Sequence, residues 1–251
     1  MKPIFIPTKG RFNNCKTAEL LGSISNMWLV VEPQELEKYK ANYSDFNYIE
    51  LPENDKGITY VRNFILNFSN KMGYDWFWML DDDISGIFRR EGTKLIRDNN
   101  ALYSAEDLID NNTGQISLEY RQFAWSASRD FILNNYNDVC VCINAKKAIE
   151  NNISYREYVS LKEDRDFTMQ VIKSGLDVKR STLSAFSAPK NGSNEGGLKN
   201  VYDTSGRELE ASKRMVELWG ENICKLQVKS DGRQDVKIMW KEINSTQISM
   251  F

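Results

Sequence analysis

Trp76-Phe77-Trp78-Met79-Leu80-Asp81-Asp82-Asp83 is the stretch on which the fold turns. Five apolar residues in a row fit a strand buried on both faces, as strands of a parallel sheet are. Three adjacent carboxylates then follow at once. Just upstream, Ile58, Val61, Ile65 and Phe68 recur at helical spacing until Gly73 stops the pattern. Further back, Ile4–Ile6, Trp28–Val31 and Tyr48–Leu51 read as strands, separated by helical segments at Lys16–Leu21 and Gln34–Tyr39. This β-α-β-α-β-α-β order predicts an α/β chain with a Rossmann-type N-terminal half and a mostly parallel central sheet. Ligands of such sheets gather beyond the carboxyl ends of the strands, where Asp81 to Asp83 stand.

Downstream the pattern is less regular. Gln115–Arg129, Asp138–Asn144 and Val178–Phe186 read as strands, and Ala145–Asn151, Glu163–Ser174 and Gly206–Trp219 as helices. Pro189–Asn200 reads as a loop rich in Gly and Asn. Ile223–Lys229 and Val236–Trp240 suggest a hairpin turned by Ser230-Asp231-Gly232. At 251 residues, 41% apolar and 27% charged, the chain fits one domain with an elaborated second half.

Composition narrows the chemistry. No run approaches the roughly 18 apolar residues of a membrane span, and the N-terminal residues lack a signal-peptide core. A cytoplasmic protein with no membrane partner is expected. Cys15, Cys140, Cys142 and Cys224 are scattered and read as reduced and structural. Histidine is absent, which removes the commonest general base and the commonest transition-metal ligand. Acid–base or metal chemistry then falls to carboxylates, amides or hydroxyls, and oxygen ligands suit Mg²⁺ or Mn²⁺. A net charge of −2 gives no global attraction to nucleic acid, so a DNA partner needs a local patch.

The carboxylates of Asp81 to Asp83 repel one another, and holding them at the mouth of a buried strand is costly unless a cation neutralises them. A divalent metal bridging a diphosphate does so and also stabilises charge on a leaving nucleotide. Strand alternation predicts Asp81 and Asp83 pointing together and Asp82 away. The plain alternative is a solvated acidic turn. At Lys56–Asn63, Gly57 opens a helix whose N-terminal amides favour anions, and Arg62 is placed to pair with a phosphate or with the acids; taken alone, the segment reads better as an ordinary amphipathic helix with a surface arginine. Ser160 and Glu163 match a capping box. Capping explains Glu163 but not Asp164 or Asp166, one of which is the candidate general base, Asp164 first. Phe123, Trp125 and Arg129 suit stacking on a base or sugar, or a half-buried strand. Lys190, Asn191, Ser193 and Asn194 lie in a loop that reads as a binding loop or as plain surface.

Together, Pro7–Arg11, Val30–Pro33, Leu51–Asn54 with Lys56-Gly57, Val61–Asn63, Trp78–Asp83 and Leu161–Asp164 resemble the TET/JBP-associated glycosyltransferases of bacteriophages. That GT-A-fold group includes DNA hydroxymethylpyrimidine glycosyltransferases and arabinosyltransferases. The resemblance implies a GT-A-like single domain over 1–251, with a nucleotide-sugar-binding half at 1–83 and an acceptor-binding half at 84–251. It implies a UDP-sugar donor, a Mn²⁺ or Mg²⁺ ion, and 5-hydroxymethylcytosine in DNA as acceptor, with a pentose such as arabinose, or glucose, transferred. Pro7, Lys9, Arg11 and Glu32 would lie along the nucleoside, Gly57 and Arg62 near the diphosphate, and Asp82 on the donor. Asp81 and Asp83 would stand at ribose and metal, and Asp164 at the acceptor hydroxyl. Many relatives add a late histidine to the metal; here Asn191, Ser193, Asn194 or water would replace it. Phe123, Trp125, Arg129, Lys190, Asn191, Ser193 and Asn194 are the acceptor-side candidates. For DNA, the C-terminal Lys225, Lys229, Arg233, Lys237 and Lys241 outnumber Asp231, Asp235 and Glu242, a modest basic footing for a monomeric enzyme. The competing readings are a GT-A enzyme with a non-DNA acceptor, a non-catalytic nucleotide-sugar or DNA-binding module, and a nucleotidyltransferase.

Overall fold

The computed structural model describes residues 2–189, 206–229 and 232–245. Strands β1 (Ile4–Pro7), β2 (Met27–Val31), β3 (Asn47–Glu50) and β4 (Trp76–Leu80) are mutually parallel and lie in the order β3-β2-β1-β4. Helices α1 (Lys16–Leu21), α2 (Leu36–Asn42) and α3 (Ile58–Lys71) link them. The unbroken apolar run of β4 has a physical reason: its side chains alternate between two cores. Phe77 and Met79 pack with Ile65 and Leu66 of α3, whereas Trp76, Trp78 and Leu80 pack with Ala18 of α1 and Tyr39 of α2.

The sheet then continues through the second half to ten strands among the described residues. A hairpin of β5 (Gly86–Glu91) and β6 (Lys94–Arg97) forms one edge. After the short helix α4 (Ala101–Ser104) come β7 (Thr113–Tyr120), the short helix α5 (Arg121–Ala124), β8 (Phe131–Leu133) and β9 (Cys140–Asn144). Helices α6 (Ala145–Glu150) and α7 (Glu163–Lys173) precede the long β10 (Asp177–Ser187). β9 runs antiparallel between β4 and β7, and β10 lies parallel to β7 and antiparallel to β5 and β8. Helix α7 approaches β7 closely at Gly114, where a Cβ would stand 2.7 Å from Val171 Cγ1. Beyond β10 come α8 (Arg207–Trp219) and the antiparallel pair β11 (Cys224–Val228) and β12 (Gln234–Ile238). Lys162, Arg165 and Lys229 all reach the buried Asp235 on β12, at 2.8, 3.0 and 2.5 Å, pinning this hairpin to the start of α7.

The α/β class with a Rossmann-type half is borne out, and so are the helices at 58–71, 163–173 and 207–219. One strand is corrected. The run expected over Gln115–Arg129 ends at Tyr120, the last residue of β7 to pair with β10, past a register shift between Ser181 and Ala185. Arg121–Ala124 turns into a helix instead, seating Ala124 against Phe88 and Ala185. Hairpin β5–β6 was not foreseen, since its arginines hide the alternation. The loop candidates at 190–200, and Ser230 and Asp231 of the expected turn, lie outside the described residues. Among those described, no helix is long and apolar enough to cross a membrane.

Candidate active site

Strand β4 ends at Leu80, so Asp81 to Asp83 form the turn beyond it and strand alternation does not govern them. This corrects the expectation that Asp82 points away alone. Asp82 is the innermost: Thr8 Oγ1 donates to it at 2.7 Å and Arg11 Nη1 at 2.6 Å. Arg11 also stands 3.2 Å from Asp83. Helix α1 clamps the turn backbone, with Thr17 N–H donating to Asp82 O at 3.2 Å and Thr17 Oγ1 to Asp81 O at 2.5 Å. Burial pushes the Asp82 carboxyl up to about 7, with Arg11 pulling the other way.

Asp81 faces a second cation. Arg62, on α3, donates from Nη2 to Asp81 at 3.3 Å and from Nη1 to Glu163 at 3.0 Å. Burial opposes its charge, but Glu163 and Asp81 outweigh that and hold it protonated. The capping box expected from Ser160 and Glu163 is absent: α7 begins at Glu163 with Lys162 at its cap and no side-chain capping bond. Glu163, its side chain only 5% exposed, is turned inward to Arg62, and its Oε2 has no partner. Burial raises its carboxyl to about 7 and that of Asp81 to about 6, with Arg62 the main counterweight to both.

Beneath Arg62 lies a polar cavity of about 10 Å³, the room of roughly one water. Asp81, Asp138, Asp164, Gln115 and Asn137 line it. The Asn137 amide nitrogen is buried without a partner, while its oxygen accepts from Ser117 at 2.6 Å. Asp138 was not singled out from the sequence. It receives the Tyr120 hydroxyl at 3.2 Å, and burial, with Asp164 close by, raises it to about 7. Its backbone is held by a tight turn: Val139 has φ +57, Cys140 N–H reaches Asp138 O at 2.5 Å, and Asp81 N–H reaches Val139 O at 2.8 Å. A β-branched residue in that region stores on the order of 1–3 kcal/mol, which the surrounding sheet must sustain. The only hint in the sequence was an acid opening a predicted strand. The pairing of Leu80 with Cys140 is what carries it to Asp81.

Other candidates fall in three places. Asp166 is not brought to the cluster. Its buried carboxylate is held by Nε and Nη2 of Arg156, by Trp219 Nε1 at 2.8 Å and by Gln170 Nε2 at 2.8 Å, so it anchors the far side of α7. Lys9 and Glu32 meet at 2.9 Å past the ends of β1 and β2, where Gln34 and the Asp55 N–H also bond Glu32. Pro7 ends β1, and Gly57, at φ +83, opens α3. Phe123, Trp125 and Arg129 are exposed. Trp125 lines an open cleft of about 540 Å³ together with Arg121, Leu95, Tyr120 and Ser187. Lys190, Asn191, Ser193 and Asn194 are outside the described residues.

The profile of the TET-Associated Glycosyltransferase family matches residues 2–196. The chain belongs to that family. The match takes in the whole cluster from Arg11 to Asp164 and stops before α8 and the C-terminal hairpin, and it bears out the expected enzyme class. No curated protein matches the sequence. Among solved structures, TarS 1-349 of S. aureus is 14% identical, with a TM-score of 0.49 over 86% of this chain and 66% of that one. Its complex with UDP-GlcNAc is 15% identical at the same TM-score, over 86% and 67%. A mannose-1-phosphate geranyltransferase from Thermus thermophilus is 10% identical, at 0.44, over 74% and 75%. The chain thus spans just under two thirds of the TarS 1-349 chain.

Proposed function

We propose that the protein transfers a sugar from a UDP-sugar to the hydroxyl of 5-hydroxymethylcytosine in DNA, with Asp164 as general base. The observation that carries this reading is the convergence of Asp81, Asp138 and Asp164 on one small cavity under Arg62, beside the carboxyl end of β4. Membership in a glycosyltransferase family supports the reaction class.

In this reading the polar group of Lys9, Glu32 and Gln34 past the ends of β1 and β2 receives the nucleoside, and Arg11 and Arg62 flank the diphosphate. The Asp164 carboxylate takes the proton from the acceptor hydroxyl. That oxygen bonds to the anomeric carbon as the bond from this carbon to the β-phosphate oxygen breaks, and UDP departs with the electron pair. Asp138, hydrogen-bonded by Tyr120, keeps a second carboxyl beside Asp164 and orients whatever occupies the cavity.

A divalent cation fits the donor set. Among the described residues, no three carboxylates or cysteines are grouped to hold a metal ion by themselves. Yet burial raises Asp81 and Asp82 above the usual carboxylate range against the pull of Arg62 and Arg11, so the two arginines do not fully offset the acids. Mg²⁺ commonly binds through one or two carboxylates, completing its shell with water and phosphate oxygens. Asp83 and Asp81 would hold it, and it would supply charge stabilisation for the departing diphosphate.

The test is to incubate the protein with UDP-sugars and Mn²⁺ on hydroxymethylcytosine DNA and weigh the nucleosides released by digestion. A mass gain of one sugar, lost in Asp83→Asn with the fold intact, is expected. UDP release without any nucleoside of increased mass would retire the DNA acceptor. Wild-type rates in Asp83→Asn would retire the metal.

A further inference from the structure

Hairpin β5–β6 stands beside the acidic turn. Ser85, two residues past Asp83, donates its backbone N–H to Ser187 O at 2.7 Å, and Gly86 pairs with Ser187 in register. Phe88 and Arg97 are register partners across this hairpin. The Phe88 ring carries two guanidinium groups, Arg121 at 4.6 Å and Arg97 at 5.8 Å from its centroid. Gly86 makes this stack possible: a Cβ there would come within 2.8 Å of the ring and 3.1 Å of Arg97 Nη2. The cleft of about 540 Å³ runs from Leu95 and Arg121 past Trp125 to Tyr120 and Ser187. At that end the Tyr120 side chain, whose hydroxyl bonds Asp138, stands between the cleft and the carboxylates.

Charge on this edge is one-sided. Arg89 and Arg90 pair with Glu91, Asp98 and Asp130, whereas Lys94, Arg97, Arg121 and Arg129 meet no carboxylate among the described residues. The C-terminal hairpin, the basic footing expected from the sequence, differs. Its Lys229 is bound to Asp235, and although Lys225 faces Lys237 across the ladder, the large apolar side chains exposed on it are Leu226 and Val228, with no aromatic ring among them.

We propose that the cleft between hairpin β5–β6 and helix α5 holds one strand of DNA, with Arg97 and Arg121 against its phosphates and Trp125 stacked on the base to be modified. This rests on the reading of hydroxymethylated DNA as acceptor. Phosphates call for uncompensated cations, and an unpaired base calls for an exposed aromatic face. Trp125 is 52% exposed, and the volume suits a nucleotide. Guanidinium groups already laid on the Phe88 ring lose little freedom on binding a phosphate, because that ring holds their planes in place.

The test measures fluorescence anisotropy of a short labelled single strand bearing hydroxymethylcytosine and of a matching abasic strand, each over a range of salt, with UDP affinity measured in parallel. Arg97, Arg121 and Trp125 are all exposed, and the parallel UDP titration reports whether each variant is folded. Arg121→Ala and Arg97→Ala are expected to weaken both strands, each lowering the salt slope by about 1. Trp125→Ala is expected to weaken the base-bearing strand on the order of tenfold and to leave the abasic strand unchanged. UDP affinity stays at the wild-type value in all three. Unchanged strand affinity in these variants, with a loss in Lys225→Ala/Lys237→Ala, puts the DNA on the C-terminal hairpin and overturns the proposal. So does a wild-type protein that binds UDP but neither strand at low salt, an outcome that spares the donor reading. The expected strand losses in a protein that does not bind UDP would leave the cleft assignment standing and overturn the donor reading alone.

Discussion

At the scale of the residue, the site is a balance between buried carboxylates and two arginines. Arg62 pairs with Asp81 and, across 101 positions of sequence, with Glu163, and both members of the Arg62–Glu163 pair are buried, at 11% and 5% side-chain exposure. Removing one partner of such a pair leaves a buried charge uncompensated. Arg62→Ala is therefore expected to lose about 3–5 kcal/mol in urea unfolding, and adding Glu163→Gln should restore part of it. No recovery in the double variant would show that the two side chains are not coupled. Asp164→Asn is expected to slow sugar transfer by about 10²–10⁴-fold while UDP affinity holds, measured by single-turnover kinetics and calorimetry. Asp166 behaves in the opposite way. With its carboxylate shared among Arg156, Gln170 and Trp219, Asp166→Ala should lower the unfolding midpoint, and the protein that remains folded should keep its UDP affinity.

At the scale of the element, α7 presents Glu163 and Asp164 on one side and Asp166 on the other, and its height over the sheet is set at Gly114. There is no room for a methyl group there, since a Cβ would meet Val171 and Leu176 at 2.7 and 3.0 Å. Gly114→Ala is expected to cost about 1–3 kcal/mol through overpacking. It should also reduce transfer more than UDP affinity, because the shift acts on the helix that carries the base. Equal transfer rates in wild type and variant would mean that α7 can move without disturbing Asp164. The tight turn of Asp138, Val139 and Cys140 works in the same manner from the other side of the cavity. Val139 adopts a left-handed conformation there, its carbonyl takes the Asp81 N–H, and the turn keeps the Asp138 carboxyl near Asp81.

At the scale of the whole molecule, the surplus of buried acid makes stability depend on pH. Asp82, Asp138 and Glu163 each bind a proton more tightly folded than unfolded, being raised to about 7 from ordinary values of 3.8, 3.8 and 4.5. Their contribution is complete below about pH 4 and is lost as pH rises through 7, because the folded chain then holds the excess protons. The melting midpoint of metal-free protein should accordingly be higher at pH 5 than at pH 8, and Asp138→Asn should flatten the slope. A midpoint that climbs across that interval in calorimetry would contradict the burial of these groups.

Much of this molecule was legible in its residue order. The run Trp76–Leu80, the helices around Arg62 and Asp164, and the acids at the strand end follow from local periodicity and charge crowding, which neighbours in sequence determine among themselves. The family resemblance carried on those motifs was legible as well. Tertiary structure alone decided which acid meets which cation: that Glu163 turns inward to Arg62 instead of capping its helix, that Asp166 is sealed away, and that Asp138 joins the cluster. It also decided that Phe88, Arg97 and Arg121 form a single stack beside Trp125. Ion pairs and clefts of this kind are made by side chains tens of residues apart, and their partners exist only once the sheet has set the strand order and register.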